Sequence, residues 1–120
     1  MADRVLFIGW DTPVRGAEQR ALDSFNEAIG LLGRMQQEGR IESFDVSLLE
    51  PNTDLGGFVI VRGTADQITA VREDEEFVRN TINASLAVDG VRHIAGWTNE
   101  GVARQMAMYQ EALAGIPQHV

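Results

Sequence analysis

The chain has 120 residues, 44 % of them hydrophobic, which suits one folded domain over residues 1–120 with a core of its own. It contains no cysteine, so disulfides, zinc knuckles, iron–sulfur ligation and a thiol nucleophile are all excluded. A net charge of −8, with ten Arg and no Lys, argues against nucleic acid and anionic membranes as partners, and the absence of Lys removes Schiff-base chemistry.

The opening run MADRVLFIGWD is too short in apolar residues for a signal peptide, and no segment is long enough to span a bilayer; a cytoplasmic location is expected. Residues 4–10 read as a strand with Val5 and Phe7 on one face and Leu6, Ile8 and Trp10 on the other. With both faces apolar, it belongs in the middle of a sheet. The spacing then predicts a helix over 16–38, with Ala21, Phe25, Ala28, Ile29, Leu32 and Met35 on one stripe and Gly39 as a left-handed cap. Gly30 and Gly33 fall inside it and suggest close packing on a neighbour. Residues 41–49 alternate, with Phe44, Val46 and Leu48 opposite Ser43, Asp45 and Ser47, as at a sheet edge. Residues 56–63 form a second central strand.

The tetrapeptide TADQ, 64–67, is a capping box opening a short helix with Ile68 and Val71. The acidic run that follows reads as a new helix start capped by Asp74, with Glu75 and Glu76 at its positive end, in preference to a metal or acid–base site. Val78, Ile82 and Leu86 are expected to face inward from that helix. Asp89-Gly90 turns the chain into a strand over 91–97, and a last helix over 101–114 carries Val102, Met106, Tyr109 and Leu113 on one face. The tail beyond it, with His119, reads as loose.

Two strand–helix–strand units with right-handed crossovers define an α+β, ferredoxin-like βαββαβ fold with an antiparallel sheet ordered 4-1-3-2, plus a C-terminal helix. The strand patterns agree, since strands one and three are apolar on both faces. The long helices can cover one sheet face only, so a second copy of the chain is the expected cover for the other. The stretches LLGRMQQEGRIESF and GGFVIVRGTADQITAVREDEEF resemble the dimeric α+β barrels, most closely the YCII-related and antibiotic-biosynthesis-monooxygenase-like proteins. That resemblance implies a homodimer and a small organic ligand, with a cofactor-independent, monooxygenase-like enzyme as one form of the activity. The histidine that YCII-related proteins place near the start of the first helix has no counterpart in residues 14–30.

His93 is the one internal histidine and the candidate catalytic group. Without His or Cys partners it makes a poor metal site, and Asp45 and Glu50 are conceivable orienters only across a dimer. Trp10, Phe58 and Trp97 are candidate walls of a ligand cavity; Arg62 and Arg92 are candidate partners for a ligand carboxylate; Tyr109 is a further candidate contact. Each has a plainer role, as core plug, ion pair or helix packing. No metal or cofactor is implied. The alternative function is a non-catalytic assembly domain that acts through its sheet face and last helix.

Overall fold

The computed structural model describes residues 1–117. Strands β1 (Arg4–Trp10), β2 (Ser43–Leu48), β3 (Gly57–Gly63) and β4 (Arg92–Trp97) form one antiparallel sheet ordered β2-β3-β1-β4. The helices are α1 (Glu18–Gln37), α2 (Ala65–Glu73), α3 (Glu75–Ala87) and α4 (Glu100–Ala114). This is the α+β ferredoxin-like fold expected from the element order, and β1 and β3 are indeed central.

Local chemistry sets the element boundaries. The helix α1 ends where Gly39 adopts φ +73, with Arg40 N–H donating to Met35 O and Gly39 N–H to Gln36 O. Those two bonds satisfy carbonyls that the helix end would otherwise leave bare. The capping box forms as predicted: Gln67 N–H donates to Thr64 Oγ1, and the Gln67 side chain accepts from Thr64 N–H. Asp74 accepts from Phe77 N–H at the start of α3 and also holds Arg40 at 2.7 Å, which keeps its carboxyl below the usual range.

The register puts Leu6, Ile8, Trp10, Val59 and Val61 on the helix-covered face, against α1, α2 and α3. The densest packing lies at one end, where Leu31, Leu32, Met35, Ile41, Val61 and Val71 are almost fully buried. On the opposite face stand Val5, Phe7, Phe58, Ile60 and Ile94, with the Phe7 and Phe58 rings stacked at 5.5 Å. No helix of the described residues covers that face.

Two expectations are corrected. Val78, Ile82 and Leu86 are not inward: they are 41 %, 55 % and 60 % exposed, and α3 instead buries Phe77, Asn80 and Ala87. The capped N-terminus fixes the helix phase, and Phe77, the residue whose N–H Asp74 holds, leads the buried face. Gly30 and Gly33 do not permit a close approach either; a Cβ at each would stand in open space.

The last helix leaves the body of the fold. The radius of gyration is 17.2 Å, against about 14 Å for a compact chain of this length. At its base Asn99 adopts φ +50 and donates to Ala2 O, Thr98 N–H donates to Asp3 O, and Arg104 pairs with Asp3. Beyond that base the helix projects.

Candidate functional site

A cavity of about 310 Å³ lies between the sheet, α1 and α3, at the end away from the dense core. Several of the α1 and α3 residues that line it are small. Ala21 and Ala28 stand on one helix, Thr81 and Ala84 on the other, where larger side chains would meet. Ile8, Val59 and His93 form the floor, and the mouth opens beside Pro13, Leu22, Leu48 and Val88.

Trp10 makes the end wall, and β3 allows it to. Its register partner is Gly57, and a Cβ there would collide with the indole ring. The indole packs edge-on to Phe25 of α1 at 5.8 Å. Asn80 is the buried polar residue of the wall; its amide donates to Ser24 O at 2.9 Å and Glu27 Oε1 at 3.2 Å, tying α3 to α1.

His93 sits opposite Ile8 in the register, with its ring 5.2 Å from that of Phe77. Burial holds its pKa below the ordinary 6.5, and the nearby Arg72 charge pushes the same way. It therefore faces the cavity as a neutral imidazole near neutral pH, with one donor and one acceptor. Its ring nitrogens have no hydrogen-bond partner among the described residues. Among the described residues, His93 and Glu18 are the ionisable ones on the wall, and no Arg lines it.

Of the residues singled out from sequence, His93 and Trp10 thus meet at one cavity. The others stand elsewhere. Phe58 is on the open sheet face, as is Arg62, which pairs with Asp45. Asp45 is thereby engaged on the face away from His93 and does not orient it; Glu50 is exposed beyond β2. Arg92 is committed to Asp11 Oδ1 and Gly90 O. Trp97 lies at the far end of β4 from His93's cavity, with the Arg4 guanidinium 5.5 Å from its ring. Tyr109 is 63 % exposed on α4. Trp10 and Trp97 fall at opposite ends of the sheet, as the antiparallel order required.

The residues that sequence reasoning missed are Asn80, Thr81, Ala84 and Gly57. Their signal was present but quiet. Phe77, Asn80, Thr81 and Ala84 recur at helical spacing, and the larger residues 78, 82 and 86 masked them. Among the described residues no cluster of His, Asp or Glu could hold a metal ion, and no helix is long and apolar enough to cross a membrane.

No family model and no curated protein matches the chain. Solved structures do. A dimeric ferredoxin-like protein of unknown function from Jannaschia sp. CCS1 superposes with a TM-score of 0.60 at 9 % identity, over 81 % of this chain and 98 % of its own. A second dimeric protein of unknown function with a ferredoxin-like fold, from Bacteroides fragilis NCTC 9343, gives 0.59 at 11 % identity, over 79 % and 96 %. A protein from Chloroflexus aurantiacus J-10-fl, provisionally named an antibiotic biosynthesis monooxygenase, gives 0.55 at 10 % identity, over 80 % and 93 %. At these identities the likeness establishes the ferredoxin-like fold shared with such proteins.

Proposed function

We propose that the chain works as a homodimer through its open sheet face, and that each subunit takes a small, uncharged, mainly apolar organic molecule into the cavity beside His93. The observation that carries the ligand assignment is the cavity itself. At about 310 Å³ it has the volume of a small-molecule site, and its wall is mainly hydrocarbon, broken by a neutral imidazole and by the polar groups of Glu18, Asn80 and Thr81. A carboxylate or phosphate would find no Arg on that wall to neutralise it, since Arg62 and Arg92 are engaged elsewhere. His93 can orient one hydroxyl or carbonyl of the ligand. It is also the group to accept a proton, should the molecule be altered in the manner suggested by the name of the Chloroflexus protein. The dimer is supported by the bare apolar sheet face and by the two dimeric neighbours.

The test uses the uncharged probe N-phenyl-1-naphthylamine and a Trp97→Phe background, in which Trp10 is the remaining indole. Saturable probe emission with quenching of Trp10 is expected, and Ala28→Phe or Ala84→Leu should weaken uptake at least tenfold by filling the cavity. Absence of saturable uptake, or uptake unchanged in both filled variants, would sink the assignment.

A further inference from the structure

We infer that α4 of one copy packs along α4 of a second copy, so that the projecting helices complete the interface begun by the sheet face. This rests on the dimer proposed above and names a second element of it.

The stripe along α4 has coiled-coil spacing. Val102, Met106, Tyr109 and Leu113 follow one another at intervals of four, three and four residues, and Ile116 lies three further on. All five are between 43 % and 63 % exposed. This alternation of four and three is what keeps a seam facing a partner helix over two heptads. From Val102 to Leu113 it extends about 16 Å at the rise of an α-helix, with Ile116 just past the helix end.

The anchoring of α4 turns that stripe outward. Glu100, Arg104 and Glu111 lie on the opposite side of the helix. Arg104 pairs with Asp3 of its own subunit, and Gly101 lies so close to Asp3 O that a Cβ would clash. The base of the helix is therefore bound to its own N-terminus through its first turn, and the apolar seam is left exposed.

Charge selects a second copy as the occupant. Each copy carries −8, so any self-association has to keep like charges apart. The positions flanking the seam are Ala103, Gln105, Gln110 and Ala112, none of them charged. Two identical helices meet there without repulsion, and the alanines allow close approach. A basic or acidic partner would find nothing on these flanks to pair with.

Area points the same way. A four-stranded sheet of six to seven residues per strand covers roughly 19 by 21 Å, or about 400 Å² in outline. A standard interface buries about 800 Å² per partner. In flat outline the sheet face alone is about half of that, and a paired α4, roughly 20 Å long and 10 Å wide, raises the shared outline to about 600 Å².

The absence of cysteine makes the test direct. Met106→Cys, Tyr109→Cys and Leu113→Cys are each oxidised with copper–phenanthroline beside Glu111→Cys, on the back of the helix. The seam position nearest the two-fold axis should form a covalent dimer at least tenfold faster than the Glu111 variant. In parallel, Met106→Asp with Leu113→Asp should weaken the dimer at least tenfold by light scattering, with an unchanged circular dichroism spectrum. Equal cross-linking of the seam and back variants, or an unchanged dimer in the double variant, overturns the pairing. If that double variant stays dimeric while Ile60→Arg is monomeric, the sheet-face dimer stands and the α4 pairing falls. A monomeric unmodified chain overturns both.

Discussion

His93 shows what alternation along a strand can and cannot supply. Its place on the face shared with Ala95 and Trp97 follows from a period of two. Its neighbour does not: Phe77 arrives from α3, and only the packed fold puts that ring 5.2 Å away. Burial in this packing dries the imidazole and lowers its pKa below 6.5, with Arg72 adding to the effect. A histidine with a depressed folded-state pKa binds its proton more readily once unfolded. Its contribution to stability is thus intact above the unfolded pKa and is lost as pH falls through 6.5 toward the folded value. Urea midpoints should therefore fall between about pH 7.5 and about pH 5.5, and His93→Gln should flatten that slope. The carboxylate Asp74, also held low, titrates beneath this window and leaves it to the histidine. An equal slope in the two proteins would show that His93 is not the group responsible.

At the scale of elements, the order of strands and helices was legible because each carries its own punctuation: Gly39 after α1, the TADQ box before α2, Asp74 before α3. Sheet order was legible from strands apolar on both faces. What the pattern misjudged was which stripe of α3 faces inward. Val78, Ile82 and Leu86 outweigh Asn80, Thr81 and Ala84 in hydrophobicity, yet α3 lies beside α1 over a cavity that the smaller set lines. The quieter stripe is the one that makes the candidate site, so the site was less legible than the fold. The glycines of α1 were misjudged in the same way. Gly30 and Gly33 admit no neighbour, so they carry the helix penalty without a packing return. Gly30→Ala should accordingly stabilise the protein by about 0.5–1 kcal/mol. That corresponds to a rise of roughly 2–6 °C in melting temperature for a domain of this size. A drop would reveal that Gly30 meets a neighbour in the assembled protein.

For the molecule as a whole, the two faces of the sheet have opposite fates. One is sealed by α1, α2 and α3; the other presents Phe7, Phe58, Ile60 and Ile94, rimmed by the Arg62–Asp45 and Arg92–Asp11 pairs. The need for a cover was legible from β1 and β3 alone, since neither strand has a polar face. Which residues need it was settled by register, which puts Phe58 and Ile60 outside and Val59 and Val61 within. If a second copy is the cover, Ile60 lies near the middle of the interface, on a central strand and flanked by the stacked phenylalanines. An arginine there would be buried without a partner, at a cost of several kcal/mol, while an isolated subunit would hold it in water. Ile60→Arg should therefore be monomeric at concentrations where the unmodified chain is dimeric, with little loss of folded structure. Salt separates the contributions further. Two chains of −8 repel each other, so raising ionic strength toward ~0.5 M should tighten an association held by apolar surfaces. Sedimentation of both proteins across a salt series measures this. Dimerisation that weakened with salt would mean that ion pairs, and not the aromatic face, hold the two copies together.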